Sequence, residues 1–242
     1  MTPTQAPDLK RAANRLLPRT PRAVVFDMDG LLLDTEILYR TAHIAAAAEL
    51  GHVMDEALYG TLIGVPRETA ELRLLEAFGA SLELPDYHAR CERQFSALCG
   101  TSVPLRPGVP ALLDALDAWA MPRAVATSTA RERARLHLRQ AGILHRFDAV
   151  VTRTDVTHGK PHPETFLRAA ASLAIDPADC LALEDSHNGV RAASSAGMMT
   201  VMVPNLLPAT DEMRALCVGV RDRLDDLVQD LRDAGVGIAP VH

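Results

Sequence analysis

Asp27-Met28-Asp29-Gly30 sets two carboxylates two residues apart directly behind the apolar run Ala23 to Phe26. Three further polar fragments stand in the same relation to other apolar runs. Thr127-Ser128 follows Ala124 to Ala126, Lys160-Pro161 comes after the Ala149 to Val151 run, and Glu184-Asp185 follows Leu181 to Leu183. Brief runs that are β-branched or rich in Ala and Leu are typical of buried parallel strands. In an open parallel sheet the residues just past the carboxyl ends of the strands share one crevice, so Asp27, Asp29, Thr127, Lys160, Glu184 and Asp185 are expected to converge there. Such a crevice combines carboxylates with a hydroxyl and an ammonium. Three or four carboxylates in one pocket repel one another and rise in pKa unless a cation neutralises them. Oxygen ligands without His or Cys favour a hard ion, and Mg2+, which keeps several of its waters, suits a phosphate-bearing substrate.

Taken singly, each fragment has a plainer reading. Asp29-Gly30 alone is a turn, because Asp tolerates left-handed backbone and Gly prefers no side. Thr127-Ser128 alone is a helix N-cap, Lys160-Pro161 a surface loop, and Glu184-Asp185 a solvated strand end. What those readings leave unexplained is that all four fall behind predicted strands.

The runs Ala23 to Phe26, Ala124 to Ala126, Ala149 to Val151, Leu181 to Leu183 and Thr200 to Val203 predict five strands. Between them lie segments of helical spacing, such as Val109, Leu112, Leu113 and Leu116, then Ala134, Leu138 and Ala141 closed by Gly142, then Phe166, Ala170 and Leu173. The alternation predicts an α/β fold, a Rossmann-like parallel sheet core of about five strands with helices on both faces. One interval breaks the rhythm. From Asp27 to Arg123 the chain is far longer than a single crossover helix requires, and it carries helical stripes of its own: Ile37, Ile44 and Ala48; Ala70, Leu74 and Phe78; Tyr87, Cys91, Phe95 and Leu98. Residues 36–105 are therefore expected to form an inserted α-helical domain, with 21–35 and 106–242 making the α/β core. Asp34-Thr35 marks the departure and Pro104, Pro107 and Gly108 the return. Residues 1–20, with Pro3, Pro7 and Pro18 among scattered Lys and Arg, are expected to be a flexible N-terminal arm.

The 242 residues carry a formal charge of -6 with both signs mixed throughout, and no basic stripe with interleaved aromatics appears. A nucleic-acid partner is not expected, and the ligand is expected to be small. Cys91, Cys99, Cys180 and Cys217 form no CxxC pair, which predicts reduced thiols and a cytoplasmic protein rather than a zinc site or a disulfide frame. No run is long enough to span a membrane. His43, His52, His88, His137 and His145 are expected at surfaces or element boundaries, while His162 and His187 stand nearer the predicted crevice.

The four fragments, in this order, resemble the haloacid dehalogenase superfamily of Mg2+-dependent phosphotransferases, and within it the phosphatase and β-phosphoglucomutase-like branch. The resemblance runs from Ala23 to about Asp230 and is closest from Phe26 to Thr35 and from Leu183 to Val190. It implies that the helical insert is a cap that closes over the active site. Asp27 would be the nucleophile that forms an aspartyl phosphate, and Asp29 the general acid and base, whose backbone carbonyl also binds the metal. Thr127 would donate its hydroxyl to a phosphoryl oxygen, with Ser128 supplying backbone N–H groups where the next helix starts. Lys160 would offset charge and precede a cis proline. Asp185 would ligate Mg2+ directly, as would Glu184, either directly or through water.

The loop Ile63-Gly64-Val65-Pro66-Arg67-Glu68 resembles the specificity loop of β-phosphoglucomutase, with Arg67 at the place of the arginine that holds a distal phosphate. Two other mutase features are missing: Tyr39 stands where a histidine is expected, and the cap lysine position falls near Phe95. These departures point to a Mg2+-dependent phosphatase acting on a small phosphorylated metabolite such as a sugar or polyol phosphate, as a monomer or weak homodimer. A phosphosugar mutase is the alternative, and a non-enzymatic phosphometabolite sensor is the alternative of another class. Dehalogenase chemistry is disfavoured by Asp29, and phosphonate hydrolysis by a cap without lysine.

Overall fold

In the computed structural model the described residues are 16–63, 65, 67–100 and 102–237. Residues 1–15 of the expected arm and the side chain of Arg67 lie outside the described residues. Six parallel strands make one sheet in the order β3-β2-β1-β4-β5-β6. They are β1 (Ala23–Phe26), β2 (Arg123–Ala126), β3 (Ala149–Val151), β4 (Cys180–Glu184), β5 (Met199–Met202) and β6 (Gly219–Val220). The order reverses at β1 and β4, which pair directly with Phe26 beside Leu183. Asp27 and Glu184 are thereby delivered to adjacent strand ends at the switch point, where open α/β sheets bind their ligands.

Alternation along the strands sends neighbouring side chains to opposite faces. Val24 and Phe26 join Val125, Leu181, Leu183 and Val201 under α5 (Val109–Ala118), α6 (Arg131–Gln140) and α10 (Asp226–Asp233). Ala23 and Val25 join Ala124, Ala126 and Ala182 under α7 (Glu164–Ser172) and α8 (His187–Ser195). The second face is built largely of alanine. Small side chains bring α7 and α8 close to the sheet, and each helix begins beside a polar fragment.

Four helices separate β1 from β2: α1 (Thr35–Glu49), α2 (Glu56–Leu62), α3 (Arg67–Phe78) and α4 (Leu84–Cys99). Ala46, Ala47, Met54, Tyr59, Leu74, Tyr87 and Cys91 form a core that is separate from those of the sheet. At one end Ala42, Phe95 and Cys99 join the sheet-side core instead. The two connections run side by side, with Asp34 N–H donating to the Pro104 carbonyl at 2.8 Å and Arg106 N–H to the Leu32 carbonyl at 3.0 Å. A helix, α9 (Asp211–Leu216), lies between β5 and β6.

Three expectations need correction. The sheet has a sixth strand where five were expected, because β6 spans only Gly219–Val220 and carries no apolar run of its own. Residues 16–20 are not part of a loose arm: Leu17 is buried in the main core, Arg19 donates to the Ala178 carbonyl at 2.9 Å, and Thr20 donates to that of Ala234. Leu16 lies where a Cβ on Gly219 would stand, 2.0 Å from its Cδ1, so the glycine makes room for it. Nor do His137 and His43 sit at the surface. His137 is buried on α6 against Phe95, and His43 holds Tyr87 Oη at 2.8 Å while burial pushes it down to about 4. Helical periodicity places a histidine on a face without saying what packs over that face. Among the described residues no helix is long and apolar enough to cross a membrane.

If residues 16–20 belong to the core, Leu17→Ala removes a fully packed side chain and is expected to cost about 2–5 kcal/mol in urea unfolding. A change below about 0.5 kcal/mol is what a loose, exposed arm would give.

Candidate active site

Asp27 continues β1 by one residue, its N–H donating to the Leu183 carbonyl at 3.0 Å, and its side chain is buried. The ammonium of Lys160 lies 2.5 Å from Asp27 Oδ1 and 2.5 Å from Glu184 Oε1. Lys160 stands over the Phe166 ring, and its peptide bond to Pro161 is cis. Ligand oxygens of Asp27, Glu184 and Asp185 all lie within 4.8 Å of one another. The crevice foreseen from the strand ends is therefore present.

Glu184 is fully buried and thoroughly engaged. Its Oε2 accepts from the backbone N–H groups of Asp185 and Ser186, both at 2.9 Å, and from the Ser186 hydroxyl at 3.0 Å. A Cβ on Gly189 would stand 1.7 Å from Glu184 Oε1, so the helix start is glycine where the carboxylate passes. Gly30 plays the matching part for Asp185: it has φ +86°, and a Cβ there would fall 2.2 Å from Asp185 Oδ2. With Glu184 held by Lys160 and by its own strand end, Asp27 and Asp185 are the less engaged oxygens of the cluster.

The electrostatics leave this group short of positive charge. Burial, then repulsion from Glu184 and Asp29, outweighs the pull of Lys160 and raises Asp27 to about 8. Burial with Asp27 and Glu184 nearby likewise holds Asp185 well above the carboxylate range. For Lys160, burial alone would lower the ammonium, but the attraction of Asp27 and Glu184 prevails and raises it. One ammonium thus faces the three clustered carboxylates. A hard divalent cation fits that imbalance, and an all-oxygen donor set is the kind that Mg2+ takes. Nearby, the buried Nδ2 of Asn205 has no hydrogen-bond partner among the described residues, while Arg106 donates to its Oδ1 at 2.8 Å.

On the other flank, Thr127 is buried and its Oγ1 accepts the Thr129 N–H at 3.0 Å. Thr129 Oγ1 then donates to Asp29 Oδ2 at 2.6 Å. Thr129 was not singled out from the sequence, although Thr127-Ser128-Thr129 places it one residue beyond the fragment that was. Helix α6 begins only at Arg131, so Ser128 lies in the loop before the helix and not in its first turn. Ser128 and Lys160 line a cleft of about 350 Å3 with Ser186, His187, Asn188 and Arg191. His187 Nε2 is occupied by the Pro208 carbonyl at 3.0 Å, and His162 is exposed. Glu36, also absent from the predicted set, is raised to about 7 by burial and then by Asp29 and Asp34. Arg67 opens α3.

A profile of the haloacid dehalogenase-like hydrolases matches residues 21–197. The chain belongs to that family. It is 34% identical over 176 residues to the phosphorylated carbohydrates phosphatase of Thermotoga maritima, covering 73% of this chain and 82% of that protein. With the β-phosphoglucomutase of Bacillus subtilis it shares 34% identity over 189 residues, 75% of this chain and 83% of the other. Among solved structures, a haloacid dehalogenase family hydrolase from Deinococcus radiodurans superposes with a TM-score of 0.78 at 28% identity, over 90% of this chain and 97% of that one. The family's enzymes generally use Mg2+, in keeping with the carboxylate cluster.

The raised Asp27 dictates how stability depends on pH. Without metal the folded protein holds a proton that the unfolded chain releases, so its contribution to stability falls as pH rises from the usual 3.8 to about 8. Chelated protein is expected to melt progressively lower across that interval, and saturating Mg2+ to raise the melting temperature more at pH 8 than at pH 5. Equal shifts at the two pH values in a thermal scan would contradict this charge arrangement.

Proposed function

We propose that the protein is a Mg2+-dependent phosphoric monoester hydrolase that acts on a small sugar or polyol phosphate through an aspartyl phosphate on Asp27. The observation that carries this reading is the pairing of Asp27, gripped by Lys160 beside the acid cluster, with Asp29 tethered by Thr129 two residues on. Asp27, Asp185 and the Asp29 carbonyl would hold the cation, with Glu184 supporting it through the engaged carboxylate described above. Bound there, Mg2+ would neutralise the carboxylates and polarise a phosphoryl oxygen.

The chain's own groups account for the rest. A carboxylate oxygen of Asp27 forms a bond to phosphorus in line with the ester oxygen, whose bond to phosphorus breaks. Asp29, protonated, delivers its proton to the departing alkoxide. It then accepts a proton from water as that water attacks phosphorus, which frees Asp27 and releases inorganic phosphate. Lys160 keeps an ammonium beside the nucleophile throughout. Thr127 and Ser128 flank the phosphoryl position from the β2 end, and Thr129 fixes the Asp29 carboxyl.

Hydrolysis is favoured over intramolecular transfer by what fills the cap. Tyr39 and Phe95, at the two positions where a mutase would carry polar groups, stack with ring centroids 4.0 Å apart and planes inclined by 21°. Residues 36–105 contain no lysine. Arg67 remains the residue proposed to meet the far end of the substrate. Both Asp27 and Asp29 are present, which supports an enzyme over a sensor. The four cysteines are free thiols, which suits a cytoplasmic setting; a monomer or weak homodimer completes the proposal.

Phosphate-release assays with Mg2+ test the roles. Asp27→Asn is expected to fall below about one-thousandth of wild-type turnover, Asp29→Asn to lose about 10²- to 10⁴-fold, and Thr129→Val to lose about tenfold through a loosened Asp29. Intact-protein mass spectrometry of Asp29→Asn with an activated aryl phosphate is expected to show a phosphoryl adduct. Substantial turnover by Asp27→Asn would remove it as nucleophile.

A further inference from the structure

A second group of metal-ligating side chains stands on the outer side of the loop that carries Lys160. His158, His162 and Glu164 bring two ring nitrogens and a carboxylate oxygen within 4.8 Å of one another. From the same loop Lys160 turns inward to Asp27 and Glu184, whereas both histidines are exposed. Their rings lie with centroids 4.6 Å apart, and among the described residues neither ring has a partner outside this group.

Glu164 organises the three. It is the first residue of α7, and its carboxylate reaches back over the loop, Oε1 accepting the Thr157 N–H at 3.0 Å and Oε2 the His158 N–H at 2.9 Å. Oε1 also takes Arg168 at 3.0 Å, whereas Oε2 has no second donor among the described residues and keeps a lone pair. Oε2 is the oxygen that faces His158 Nδ1, at 3.4 Å. That is too long for a charge-assisted hydrogen bond, typically ~2.7–2.9 Å. It is close to the ~3.4 Å edge of a tetrahedron whose metal bonds are about 2.0–2.2 Å. The His162 Nδ1 accepts the Glu164 N–H at 3.3 Å, beyond the usual range, so this exposed ring gives up little in turning to an ion.

We propose that His158, His162 and Glu164 bind a late first-row divalent ion, Zn2+ in the first place, and that the bound ion clips the Lys160 loop to the start of α7. Imidazole nitrogens suit Zn2+, while the acid cluster offers oxygen alone and suits a hard ion, so the two sites sort their metals by donor type. Three protein ligands leave a fourth position to water. The histidines lie on either side of Lys160-Pro161 and the glutamate lies on the helix, so one ion ties both halves of the loop to α7. Arg168 beside Oε1 opposes the ion's charge, which sets the expected affinity in the micromolar range and no tighter.

The test is calorimetric titration of the full chain with ZnCl2 in excess Mg2+, which keeps the acid cluster filled. Wild type is expected to show one micromolar site, weakened at least about tenfold by His158→Gln or His162→Gln and further in the double variant. Co2+ in place of Zn2+ is expected to give wild type the strong visible absorption of a low-coordinate ion with nitrogen ligands, and the double variant only the faint bands of octahedral oxygen coordination. Zn2+ is also expected to slow amide hydrogen exchange across residues 157–164 at least about threefold in wild type and not in the double variant. No micromolar site in wild type, or equal Zn2+ binding by a double variant whose melting temperature shows it folded, overturns the site. Zn2+ binding that leaves the exchange of residues 157–164 unchanged overturns the clip.

Discussion

Three carboxylates share one ammonium at the mouth of the sheet, and most of the architecture around the site answers to that imbalance. Parallel strands make the crowding unavoidable: β1 and β4 are neighbours in register, so the residues that follow them emerge side by side. The buried acids then need partners that water cannot supply. Glu184 finds them in Lys160, in two backbone N–H groups and in the Ser186 hydroxyl. Asp27 and Asp185 are left with a shortage of positive charge, which is the property a divalent ion corrects. The glycines at 30 and 189 belong to the same constraint, since each stands where a Cβ would displace a carboxylate oxygen.

The sheet and the helical insert are built in two different ways. The sheet end is built of strand termini that carry the acid cluster. The cap end is a helical unit with its own apolar core, tied to the sheet by a pair of adjacent connections. Its contact with the core includes Phe95 on α4 against His137 on α6 and an ion pair from Arg133 on α6 to Glu92 on α4.

Strand ends were legible because apolar runs followed by polar residues leave a mark in the order of residues alone. Asp27, Lys160, Glu184 and Asp185 could be placed in one crevice on that ground, and the structure brings them together. Thr129 and Glu36 left no such mark. Threonine after Thr127-Ser128 is an ordinary loop residue until its hydroxyl is found 2.6 Å from Asp29. A glutamate in the first turn of a helix is a common dipole partner, and only the packing around it turns it into a half-buried acid with no partner among the described residues. The sixth strand escaped for a related reason, being two residues long and recognisable only through its pairing with β5.

From sequence order alone came the α/β alternation, the long helical insertion and the kinds of side chain available at each strand end. Those follow from local periodicity, which depends on neighbours a few residues apart. The partners were decided by the tertiary structure. Lys160 meets Asp27 across 133 positions and Glu184 across 24, and Leu16 and Leu17, read as part of a loose arm, pack against the distant end of the chain. Contacts of that separation arise from topology, so the identity of a residue can announce its chemistry while the fold alone says which group it will act on.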